Sequence, residues 1–185
     1  SHYSAYAENV QKIISGRNDV AVFSSTNFDK SLEAYLLDYY ATYAKVDGVL
    51  LIGRQNQKTT NYSIPTITIG RSSSASLYLP HDFAIGEIKS YLRQFGHEDI
   101  CFIGEKLTQL KENAVVKAFP NTAVIHSEKR FEEAGYDCAK QFLLMKKMPT
   151  AVIAAYDDIA IGFINALKKS GLSVPNDVSV IGMDN

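Results

Sequence analysis

Ala151-Val-Ile-Ala-Ala155, then Tyr156-Asp-Asp158, then Ile159, Phe163, Ala166 and Leu167 at helical spacing up to Gly171, then Pro175 and Val178-Ser-Val-Ile181: this stretch decides the fold. The two short runs are apolar without strict alternation, which is how a strand covered on both faces reads. The segment between them, 158–170, has one apolar stripe, a glycine stop and a proline beyond it. Strand, helix and strand in that order form a βαβ unit, whose two strands must run parallel.

The same rhythm extends outward. Further apolar runs stand at Val20–Ser24, Gly48–Ile52, Thr66–Ile69, Ile100–Ile103 and Ala123–Ile125. Helical stripes are read in 29–45 (Leu32, Leu36, Tyr39/Tyr40, Tyr43), 83–95 (Ile88, Tyr91, Leu92, Phe95) and 131–144 (Ala134/Gly135, Cys138/Ala139, Phe142, Leu143). The class expected is α/β, with two doubly wound parallel-sheet lobes. The polar run Arg71–Ser76 is read as the crossing between them, giving an N-terminal lobe over 1–79 and a C-terminal lobe over 80–185. Ile100 to Ile181 reads as a full βαβαβαβ series. The first lobe opens with a helical stretch, Tyr3 to Ile14, and offers only three strands. It is therefore expected to lack its first strand, and the second lobe its final stretch.

Composition narrows the function. Of 185 residues, 46% are hydrophobic and 21% charged, ordinary globular values that exclude disorder and collagen. Lys and Arg number 19 against 20 Asp and Glu, a net charge of −1, which argues against this segment gripping nucleic acid by itself. No apolar run approaches the roughly 18 residues of a membrane span. Ser1-His2-Tyr3-Ser4 has neither a basic nor an apolar leader pattern, so no signal peptide is expected there. Cys101 and Cys138 have no metal spacing and are expected to be reduced and buried. The histidines His2, His81, His97 and His126 form no ligand pair, and neither a phosphate loop nor a Gly-x-Ser-x-Gly elbow is present, so no metal, cofactor or enzyme activity is expected.

Ligands of open parallel sheets bind outside the C-terminal strand ends. Tyr156-Asp157-Asp158 and Asp184-Asn185 stand at such ends. Asp157 is expected to cap helix 158–170, while Asp184 is placed to accept hydrogen bonds from ligand hydroxyls. Ile161 and Ile164 point away from the stripe that seats this helix. That suggests burial against a two-fold partner, the alternatives being ordinary exposure or a cover from the same chain.

These segments carry a resemblance. Pro175-Asn-Asp-Val-Ser-Val-Ile-Gly-Met-Asp-Asn185 resembles the P-x-D-V-S-V-[IV]-G-[FY]-D-[DN] run of the LacI/GalR family. Pro149-Thr-Ala-Val-Ile-Ala-Ala-Tyr-Asp-Asp-Ile-Ala-Ile-Gly162 is similar to its P-T-A-[IV]-x-A-x-N-D-x-[MI]-A-x-G. Val46–Ile52, Ile64–Arg71 and Phe95–Gly104 match further family runs in the same order, from Val46 to Asn185. The resemblance implies the effector-binding, periplasmic-binding-protein-like domain of a cytoplasmic bacterial transcription repressor. Such a domain binds a sugar or similar small metabolite, forms a homodimer and acts on operator DNA through a helix-turn-helix head absent from this chain. It implies ligand contacts at Asp184, Tyr156 and Arg71, with Phe131 one place off the family's stacking aromatic. Tyr156 stands where the family has Asn. The family's arginine after the Phe-Ile-Gly strand has no clear counterpart, Lys106 and Lys111 being the candidates. A sugar-binding transport protein shares the fold and is the alternative.

Overall fold

The computed structural model describes residues 2–27, 29–53, 64–70, 76–78 and 81–183. Arg71 and Asp184 lie outside the described residues. The chain divides into two compact units, Ser1–Pro80 and His81–Asn185.

The first unit contains α1 (His2–Ser15), α2 (Lys30–Thr42) and three parallel strands, β1 (Val49–Ile52), β2 (Thr66–Gly70) and β3 (Leu77–Tyr78), in the order β1-β2-β3. Asp29 opens α2, its carboxylate accepting the Ser31 and Leu32 amides at 2.7 and 3.0 Å, which satisfies two donors the helix cannot satisfy itself. Thr68 and Ser76 exchange amide-to-hydroxyl hydrogen bonds of 3.1 and 2.8 Å, stitching β2 to the approach of β3.

Two sequence expectations fail in this unit. Val20–Ser24 forms no strand, and Val20 and Val22 are 87% and 66% exposed. A strand is a pairing, not a pattern. Among the described residues β1 pairs on one edge with β2 and no strand is hydrogen-bonded to its other edge, so Val20–Ser24 stays outside the sheet with no ladder partner of its own. The α2 stripe is also displaced. Leu37 and Glu33 are the buried positions, whereas Leu32, Tyr39 and Tyr43 face solvent. Tyr35, Tyr39 and Tyr43 stack on one another along the helix, with centroids 6.4 and 6.1 Å apart, so the aromatics partly shield each other.

The second unit runs α3 (His81–Gln94), β4 (Ile100–Glu105), α4 (Gln109–Ala118), β5 (Ala123–Ser127), α5 (Phe131–Leu143), β6 (Ala151–Ala154), α6 (Asp157–Lys169) and β7 (Ser179–Ile181). Its sheet is fully parallel in the order β5-β4-β6-β7. Every residue of β4 and β6 is buried, as two-faced cover requires. On α3 the inward positions are Ile85 and Leu92, while Tyr91 and Phe95 of the expected stripe remain outside. Phe142 of α5 meets Phe163 of α6 edge to face at 5.3 Å.

α5 and α6 meet at two glycines. A Cβ on Gly135 would collide with the Ile159 carbonyl and the Phe163 amide, and one on Gly162 with the Glu132 carbonyl. The helix backbones therefore touch, and the start of α5 is held hard against the first turns of α6. Cys101 and Cys138 are buried free thiols, and burial pushes both up to about 12.

Candidate functional site

The chain leaves β4 for β5 on one side of the sheet and reaches β6 on the other, so the connections diverge between β4 and β6. In such sheets the crevice at that divergence is where ligands sit. At this edge the structure gathers Glu105 from the end of β4, Arg130 and Phe131 from the start of α5, and Tyr156 from the end of β6.

Local sequence explains each placement. Gly104 leaves room for the Thr108 hydroxyl and the Phe102 ring, which a Cβ would strike. The Thr108 hydroxyl accepts the Glu105 amide at 3.0 Å and donates to the Glu105 carbonyl at 2.7 Å, turning the chain sharply so that Glu105 ends the strand. On the β5 side, Ser127 donates to Asp137 at 2.8 Å and accepts the Lys129 amide at 3.0 Å, fixing the loop that carries Arg130. Tyr156 is extended, with φ −161° and ψ 168°, and stands at the N-cap of α6.

The side chains then converge. The Tyr156 hydroxyl donates to Glu105 Oε1 at 3.1 Å and accepts the Phe131 amide at 3.1 Å. Arg130 Nε donates to the same Glu105 oxygen at 3.3 Å, and Glu105 is only 3% exposed. The Arg130 guanidinium lies 4.7 Å from the centre of the Phe131 ring, and the Tyr156 ring meets that ring edge-on at 6.1 Å. Burial, ahead of the neighbouring charges, pushes the Tyr156 phenol up to about 12, so it keeps its proton and stays a donor at neutral pH. Phe131 adopts φ +56°, a left-handed conformation that a bulky aromatic rarely takes and that clusters at functional sites. Beside these groups lies an open cavity of about 530 Å³ lined by Arg130, Phe131, Glu132, Glu133 and Asp158.

Of the residues picked from sequence, Tyr156 and Phe131 are brought together here. Asp157 is corrected: Tyr156 holds the cap position, and Asp157 is the first helical residue. The helix begins one residue earlier than the expected 158–170, so Asp157 falls in the first turn, where the helix dipole favours a carboxylate. Its Oδ1 packs where a Cβ on Gly182 would stand. Ile161 of α6 is 46% exposed and Ile164 half-buried. Lys111, one of two stand-ins for the missing arginine, is 0% exposed and donates from Nζ to the Ala155 carbonyl at 2.5 Å. Glu105 and Arg130 escaped the sequence reading, although a carboxylate directly after an all-apolar strand is a legible signal. Among the described residues no cluster of His, Cys, Asp or Glu is arranged to hold a metal, and no helix is long and apolar enough to cross a membrane.

Comparison with known proteins bears on the fold and the family. Residues 90–185 match the periplasmic binding protein-like domain. The chain is 32% identical over 163 residues to the HTH-type transcriptional repressor PurR of Histophilus somni, covering 76% of this chain and 48% of that protein. It is 40% identical over 100 residues to PurR of Glaesserella parasuis, covering 49% of this chain and 29% of that protein. In fold it matches a LacI family transcriptional regulator from Lactobacillus casei solved with bound glucose, with TM-score 0.82 and 18% identity, over 97% of this chain and 75% of that one. The chain belongs to the periplasmic binding protein-like domain family, in the form found in the effector-binding domains of LacI/GalR regulators. It spans about half the length of the first repressor.

Proposed function

We propose that this chain is the effector-binding and dimerisation domain of a cytoplasmic bacterial transcription repressor, and that it carries no enzymatic activity. A small metabolite, a sugar or a compound of similar size and polarity, meets Asp184, Phe131 and Tyr156. Its binding alters operator affinity through a helix-turn-helix head. The observation that carries this reading is the gathering of Glu105, Arg130, Phe131 and Tyr156 at the divergence of β4 and β6, in a chain whose relatives are repressors. An aromatic face beside a guanidinium suits a polar ring, which offers C–H surface to the one and oxygens to the other.

We place dimerisation on α6, a reading that the half-exposed Ile161 supports. A half-exposed isoleucine on a helix otherwise seated by Ile159, Phe163 and Leu167 is covered economically by its own copy across a two-fold axis.

The test is a thermal-shift screen of the chain against neutral hexoses, hexuronates, sugar phosphates, nucleosides and nucleobases. A true ligand at 100 times its Kd adds about 2.7 kcal/mol to stability. A screen in which no compound of any of these classes raises the melting temperature counts against effector binding.

A further inference from the structure

We infer that Glu105 is the positioning residue of this site: its buried carboxylate holds Arg130 and Tyr156, and through Tyr156 the backbone of Phe131, as a preformed guanidinium-and-ring edge. The inference rests on the reading of this edge as the effector site.

The argument starts from cost. A carboxylate that is 3% exposed is expensive unless its oxygens are paired. Glu105 Oε1 takes two donors, one from the loop before α5 and one from the residue opening α6. One oxygen atom thus ties the ends of three segments that are far apart in sequence. Arg130 gains a fixed plane, because its Nε is anchored while its guanidinium lies over the Phe131 ring.

The second half concerns Phe131. Its left-handed backbone is one a bulky side chain rarely takes, and it persists only where the surroundings impose it. The Phe131 amide is held at 3.1 Å by the Tyr156 oxygen, and that oxygen is oriented by its own donation to Glu105. Tyr156 therefore works as a strut between Glu105 and Phe131. A ligand arriving at this edge meets groups already in place and does not have to order them, which conserves binding energy.

The test uses the isotope-labelled 185-residue chain and four forms: wild type, Glu105→Gln, Glu105→Ala and Tyr156→Phe. The Phe131 Cα and Cβ shifts report its φ, and the exchange rate of the Arg130 Nε–H reports its hold on the carboxylate. In Glu105→Ala and Tyr156→Phe the Phe131 shifts are expected to move to ordinary negative-φ values while the Phe102, Ile103 and Val152 amides stay unchanged. Arg130 Nε–H exchange is expected to quicken at least tenfold in Glu105→Ala. Glu105→Gln keeps an acceptor oxygen without the charge and is expected to restore the Phe131 shifts. Where Glu105→Ala fails to fold, Tyr156→Phe, which deletes a single hydroxyl, carries the comparison. Phe131 shifts that stay at wild-type values in both variants overturn the proposal, as does a change that appears only together with the core amides. D-Glucose serves as the binding probe, with affinity expected to fall at least tenfold in Glu105→Ala and to recover in Glu105→Gln. Wild-type chain that ignores glucose argues against that sugar as effector, and the ligand-free shifts still decide the role of Glu105.

Discussion

A hydroxyl ligand is recognised most sharply by a carboxylate that has no other good partner once water is excluded. Asp184, three positions past the end of β7, is the residue expected to do this. Asp184→Ala is expected to weaken the effector found by the screen at least tenfold in calorimetry, about 1.4 kcal/mol. An unchanged Kd removes Asp184 from the site. At this scale the sequence was a partial guide. Strand-end position was enough to pick Tyr156, because the end of an apolar parallel run is readable. What its hydroxyl touches was not, since Glu105 and Phe131 lie 51 and 25 positions earlier in the chain. The cap on α6 lies one residue before the position the periodicity points to, a difference ordinary for helix ends.

Elements were legible where burial is two-sided and illegible where partners decide. β4, β6 and the α6 stripe of Ile159, Phe163 and Leu167 stand as the periodicity has them, because a sheet interior and a one-sided helix leave clear patterns. α4 carries no such stripe. Its buried positions are Lys111, Ala114 and Val115, and a lysine on the inward face masks the period. The Val20–Ser24 run has the composition of a strand and forms none, because composition does not say whether a partner strand is there to pair with it. The α5–α6 crossing yields an element-scale prediction. Gly162→Ala places a methyl against the Glu132 backbone, which has no flexible end to yield. The expected cost is about 3 kcal/mol in urea unfolding, the upper range for overpacking. A loss below about 0.5 kcal/mol means that the helices can separate freely. Because Glu132 follows Phe131, the same variant is expected to weaken effector binding as well as stability.

For the whole molecule, the dimer is tested at Ile161. Ile161→Asp puts two like charges near a two-fold axis and is expected to shift sedimentation velocity from dimer to monomer, with the melting temperature within a few degrees of wild type. Wild-type sedimentation at micromolar concentration excludes this face. A second prediction concerns pH. Both thiols have an ordinary value of 9.0 and are raised to about 12 by burial. The folded state thus holds protons that the unfolded state releases. Their contribution to stability is complete below about pH 9 and is lost as pH climbs toward 12. Urea unfolding between pH 8 and 10.5 is expected to fall more steeply for wild type than for Cys101→Ala/Cys138→Ala. Parallel slopes mean that the thiols titrate normally. Stability is also uneven along the chain: among the described residues Leu37 is the one buried apolar side chain of the first unit, and the rest of the core lies in the second. Amide exchange is expected to be fast in β1 and β2 and slow in β4 and β6, with a first unit as protected as the second contradicting this.

The outer edge of β1 has a consequence for how the protein behaves in bulk. Among the described residues it presents an unpaired row of amides and carbonyls, beside a sheet face where Leu50, Ile67 and Leu77 are 41%, 57% and 54% exposed. Such an edge is a template on which another chain can crystallise its own backbone, strand upon strand. At high concentration such an edge favours strand-on-strand association between molecules over the isolated chain.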